Sequence, residues 1–142
     1  MTPSKAHIVF GLVLLIVGIA FDFFYVEWKL SEAFKTDPAS YLASWEKNLL
    51  DLTKSYMIIF GLLSLAFAWL HSRFGGVTKI DWLVFWLLSA GAVLIIATGF
   101  WYAAAGPSFR WETRCTVLTI GLLAALTSLA LEAYRALTAK SA

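Results

Sequence analysis

Few residues in this sequence could do chemistry, and they fall into two groups. Asp22 lies inside a long apolar stretch, about 7 Å past its middle at roughly 1.5 Å per helical residue. A carboxylate at that depth is costly and calls for a cationic partner inside the fold. Arg114 falls at a matching depth on the same side, with Lys54 as the alternative, so an intramembrane ion pair of Asp22 with Arg114 (or Lys54) is expected. Such a pair either locks the first apolar segment to another or is one station of a proton or ion path. No second ionisable group at mid-span continues a path, which favours the lock.

His7 and His71, the two histidines of the chain, form the second group. They sit at same-side ends of the first two apolar segments, where an antiparallel hairpin would bring them together. Two imidazoles can serve as axial ligands of a haem or hold the magnesium of a chlorophyll-type pigment. The sequence offers no evident carboxylate or cysteine on that side to complete a zinc-like set, so no metal site is expected. Beyond that haem or pigment alternative no cofactor is predicted. Glu112 and Glu132 read as ordinary solvated carboxylates at span ends. The sequence shows no nucleophile beside a base, no paired catalytic carboxylates, no glycine-rich phosphate loop and no metal-binding helix motif, so no catalytic residue is assigned.

The elements that carry these residues must be membrane helices. Of 142 residues, 61% are hydrophobic and 14% charged, and the mean hydropathy is +0.78, against about half apolar and a quarter charged in a soluble domain. Spans are expected at about 7–28, 55–70, 82–102 and 115–131, each without a charge at its centre. Trp28, Trp45, Trp69, Trp82, Trp86, Trp101, Tyr102 and Trp111 mark their ends, as amphipathic rings do at the headgroup level. The fold class is therefore all-α: a polytopic membrane protein whose single domain, 1–142, is an antiparallel bundle of four transmembrane helices. The first stretch resembles a signal peptide after Lys5, but its apolar run continues through Phe21, Phe23, Phe24 and Tyr25, so it reads as a retained span.

Two connections look tight. Phe74-Gly75-Gly76 stops a helix, and Thr78 with Asp81 three residues later reads as a capping box; Gly106-Pro107-Ser108 breaks the chain before the fourth span. The first connection, of roughly 25 residues, has structure of its own. Asp37 can cap and Pro38 can open a helix in which Tyr41, Leu42, Trp45, Leu49 and Leu50 recur on one face, while Lys47 and Asp51 pair on the other. This predicts an additional amphipathic interfacial helix over about 38–54 that feeds into the second span. Its face of Tyr41, Leu42, Trp45 and Leu49 serves as a membrane anchor or as a docking surface for a partner subunit.

Gly11, Gly18, Ser64, Ala68, Ser89, Gly91, Ala92, Gly121 and Ala125 allow close helix approach, and Gly61-Leu62-Leu63 is echoed by Gly121-Leu122-Leu123. Lone Cys115 excludes an internal disulfide, and a net charge of +2 without a basic tract points away from nucleic acid. An even number of spans puts both termini on one side. Basic residues divide almost equally between the sides, and the surplus of acids opposite the termini places the termini in the cytoplasm, with a bacterial inner membrane as the expected location. With so few interior polar groups, the expected role is that of a non-catalytic accessory or assembly subunit of a larger membrane complex, energy-transducing ones included, whose partners are the lipid bilayer and larger membrane subunits. The alternatives are a small oligomeric transporter or channel and a haem- or pigment-binding electron-transfer subunit.

Overall fold

A computed structural model describes residues 1–73, 79–106 and 110–138. Its four long apolar helices form the expected antiparallel bundle. The first begins where the Thr2 hydroxyl accepts the backbone N–H of Lys5, opening α1 (Pro3–Phe21). The chain then runs through a π-helical segment, Asp22–Val26, into α2 (Glu27–Phe34) without a break. Ala6, His7, Gly11, Leu14 and Gly18 form the buried stripe of α1. The next buried residues are Val26 and Ala33. Eight α-helical residues turn well past two full turns, so a regular helix would carry Val26 away from the stripe; the wider π turn absorbs the excess and returns it.

This continuous helix has 32 residues, and α4 (Trp45–Arg73) has 29, so they measure about 48 Å and 43 Å against a hydrocarbon core of about 30 Å. Both are longer than that core, and at the end of the bundle opposite the termini ion pairs join them. Lys29 pairs with Glu46, Lys54 lies 2.7 Å from Asp22, and Lys47 lies 2.6 Å from Asp51 within α4.

The long first connection is correspondingly short, and the helix expected over 38–54 is divided. Asp37 caps α3 (Pro38–Leu42) by accepting the Ser40 N–H at 3.2 Å. After Ala43, the Ser44 hydroxyl accepts the Lys47 N–H at 3.2 Å and starts a new helix. Residues 45–54 are the first turns of α4 and feed straight into the span as expected, while the Ser44 cap separates them from α3.

The second hairpin consists of α5 (Lys79–Ala105) and α6 (Thr113–Thr138). Gly106, with φ of 77°, follows α5 in the left-handed conformation that glycine adopts at a helix end. The other breakers named above, Phe74-Gly75-Gly76 with Thr78 and Pro107-Ser108, lie outside the described residues. The main contacts join α1 to α4, α4 to α5 and α5 to α6. Small residues set the closest crossings: a Cβ on Gly11 would lie 2.7 Å from the Gly61 carbonyl oxygen, and one on Gly91 would lie 2.8 Å from that of Gly121. Around them Leu14, Met57, Phe60, Val84, Leu88, Ala92, Ile95 and Ala125 form an apolar core.

Candidate functional site

At the end of the bundle nearest the termini, polar side chains from all four spans meet in the interior. His7 of α1 is fully buried. Its Nδ1 lies 2.9 Å from the Ser64 Oγ of α4, and that hydroxyl donates its own hydrogen to the His7 carbonyl at 3.0 Å. A serine has one hydrogen to give, so Ser64 can only accept from the ring, and His7 carries its proton on Nδ1. The second histidine sits two turns further along α4. His71 Nε2 lies 3.0 Å from a Glu132 carboxylate oxygen on α6. An ionised carboxylate accepts only, which places the His71 proton on Nε2.

Glu132 and Asp81 are each 2% exposed. Arg135, one turn after Glu132, joins them: its Nε is 2.9 Å from Asp81 Oδ1 on α5, and its Nη1 is 3.5 Å from Glu132 Oε2. Ser128, one turn before Glu132, donates to the Val84 carbonyl at 3.0 Å. Aromatic rings wall off the histidines. His7 meets Phe85 edge to face at 5.0 Å between centroids and Phe67 at 5.7 Å. The two imidazoles are themselves 5.0 Å apart with 76° between their planes. His7 Nε2 and His71 Nδ1, both buried, have no hydrogen-bond partner.

The hairpin thus brings His7 and His71 together as the sequence indicated, but in a different chemical setting. A haem iron between two imidazoles, with metal–nitrogen bonds of about 2.0 Å, would separate the ring centres by roughly 6 Å with a macrocycle between them. Here the rings touch directly. Glu132 is not a solvated span-end carboxylate, and Asp81 is more than a capping residue; both are buried and matched to cations. Among the described residues, no group of three or more His, Cys, Asp or Glu side chains is placed to hold a metal ion.

At the opposite end of the bundle the structure takes the second of the two partners expected for Asp22. Asp22 is held by Lys54 and not by Arg114. The reason is the neighbour relation: α1 lies along α4, which brings Lys54 to Asp22. Arg114 instead folds back at the start of α6, donating to Glu112 at 2.5 Å and to the Gly106 carbonyl at 3.1 Å, with its guanidinium 4.8 Å above the Tyr102 ring. Near the Lys29–Glu46 pair, α2, α3 and the start of α4 enclose an open cleft of about 560 Å³ that includes Trp28 and Tyr41. Leu42 and Trp45 of the expected docking face are exposed there, while Tyr41 and Leu49 are partly covered.

Sequence reasoning missed Ser64, Asp81, Glu132 and Arg135 as site residues. The available signal was the spacing of Ser128, Glu132 and Arg135, which steps by four and three and so puts all three on one face of an otherwise apolar helix. No protein family, curated protein or solved structure matches this chain.

Proposed function

We propose that this protein is a non-catalytic accessory or assembly subunit of a larger membrane complex, situated in a bacterial inner membrane with both termini in the cytoplasm. One observation carries the reading. The two polar ends of the bundle are separated by a mainly apolar interior: His7 and Asp22 are 15 residues apart along the first continuous helix, about 22 Å, and the interval is packed with Leu14, Met57, Phe60, Leu88, Ala92 and Ile95, with isolated hydroxyls at Ser89 and Thr98. A conduction path would need polar groups or water through that layer. The buried charges answer one another at one end instead, as befits side chains that lock helices together.

The outer surface agrees with lateral association. α1 presents Val9, Leu12, Val13, Ile16, Val17 and Ile19 to its surroundings, and α6 presents Ile120, Leu123 and Leu126. Between α1 and α5 lies an apolar crevice of about 470 Å³ lined by Phe10, Phe85, Trp86 and Val93. The test is isolation from the native membrane in a mild detergent or a polymer nanodisc. The expected result is a larger assembly holding this chain at fixed stoichiometry. Recovery as a lone monomer, together with ion or solute flux in liposomes containing only this chain, would overturn the proposal in favour of transport.

A further inference from the structure

Resting on the accessory-subunit reading above, we propose that the crevice between α1 and α5 is the docking groove for an apolar transmembrane helix of a partner subunit, a backbone carbonyl of which accepts a hydrogen bond from Ser89. The buried hydroxyls lead there. Among the described residues they are Thr53, Ser64, Ser89, Thr98 and Ser128. The threonines turn back onto their own helices: Thr53 donates to the Leu49 carbonyl at 2.7 Å and Thr98 to that of Leu94 at 2.6 Å. The serines reach across to a neighbouring helix: Ser64 donates to the His7 carbonyl and Ser128 to that of Val84, each at 3.0 Å. Those carbonyls belong to α1 and α5, and a second lone pair on each takes the additional bond. Ser89 has neither arrangement. Its Oγ is buried and without a hydrogen-bond partner, a costly state in hydrocarbon.

The packing explains the exception. α1 lies along α4 and α5 lies along α6, but α1 and α5 touch only lightly, so the neighbour that serves Ser64 and Ser128 is missing at Ser89. The crevice of about 470 Å³ opens there, lined by Ser89 and Ala90 together with Phe10, Trp86 and Val93. A second crevice of about 430 Å³ shares Phe10, Phe85 and Trp86 with it and continues past Val9 and Trp82. Together they follow α5 from Trp82 to Leu94, about 18 Å or just over three helical turns. Val9, Trp86 and Val93 are exposed along this groove, and it contains no charged side chain.

Depth and shape select the occupant. Ser89 stands seven residues inside Trp82, about 10 Å along α5. The polar groups of a phospholipid stay in the interfacial layer, so an acyl chain fills the groove but brings no acceptor to this depth. A helix brings a carbonyl at every residue. To carry its backbone within reach it needs a small residue at the contact, as at the crossings of Gly11 with Gly61 and of Gly91 with Gly121 inside the bundle. The partner segment is therefore an apolar span with glycine, alanine or serine facing Ser89 and no charge over the three turns that fill the groove.

The test compares variants of the full chain, each drawn with its complex from the native membrane in a polymer nanodisc. Ala90→Phe fills the groove from an exposed position, and Ala130→Phe places the same side chain on the exposed face of α6 as the control. The expected result is that the unaltered chain and Ala130→Phe stay with the larger assembly at fixed stoichiometry, whereas Ala90→Phe is recovered as a folded lone chain. Ser89→Ala should weaken retention by about threefold to twentyfold, the range for one hydrogen bond between membrane helices. A photoreactive amino acid at Val93 should become joined to a transmembrane segment of the same subunit that Ala90→Phe releases. Should Ala90→Phe fail to fold, Ser89→Ala and the Val93 cross-link decide. A lone chain in the unaltered protein removes the accessory-subunit reading and the docking groove with it. An intact assembly that keeps Ala90→Phe overturns the groove alone. So does retention unchanged by Ser89→Ala, the result for a hydroxyl turned back onto its own helix, and so does a lipid or quinone that Ala90→Phe displaces while the assembly holds.

Discussion

Replacing Arg135 by methionine should unfold this bundle more readily than any other single charge removal. The substitution keeps most of the side-chain volume and removes the guanidinium. It leaves Asp81 and Glu132, each 2% exposed, without the cation that lies 2.9 Å from one and 3.5 Å from the other. Removing one member of a buried pair typically costs about 3–5 kcal/mol, because the remaining charge stays desolvated. At about 1.4 kcal/mol per tenfold, that is a shift of roughly a hundredfold to a few thousandfold in the unfolding equilibrium. The reference is Lys47→Met, which breaks a pair whose side chains are 22% and 38% exposed; such solvated pairs contribute about 0–1 kcal/mol. Unfolding can be followed by tryptophan fluorescence as denaturing detergent displaces a mild one. If the two variants unfold at the same detergent fraction, the cluster does not hold the helices together. The companion Asp81→Asn/Arg135→Met removes opposite charges together and should recover a large part of the loss.

Two further outcomes follow from the helix contacts. A Cβ on Gly99 would lie 2.2 Å from Thr53 Oγ1, so Gly99→Ala should cost about 1–3 kcal/mol through overpacking, and adding Thr53→Ala should restore most of it in the same unfolding assay. Asp22→Lys should weaken the far-side seam by about 1 kcal/mol or less, because the side chains are 40% and 24% exposed, and exchange with Lys54→Asp should recover it; recovery by Arg114→Asp instead would show that the wrong helix was paired.

How far the sequence reveals this molecule depends on the range of each interaction. The spans are legible because hydrocarbon imposes length and apolarity on every segment separately, so Trp82 to Tyr102 can be recognised without knowing its neighbours. Local caps are legible in part: Asp37 caps where its type and position indicate, while Ser44 was passed over because the apolar rhythm of Tyr41, Leu42, Trp45 and Leu49 runs through it. The choice between Lys54 and Arg114 was not legible from depth, which they share. It is decided by which helix lies beside α1, and consecutive elements more often pack together than distant ones. Glu132 is the most instructive miss. At a span end a carboxylate can reach water, and only the convergence of His71 and Arg135 on it explains why it does not.

The two ends of the bundle therefore solve the same problem differently. At the far end the pairs are partly exposed: the side chains of Lys29 and Glu46 are 26% and 40% open. Water screens such pairs, so each is weak and several are needed to hold α1, α2 and α4 together. At the end near the termini the carboxylates of Asp81 and Glu132 are buried, where attraction is strong but every unmatched charge is costly.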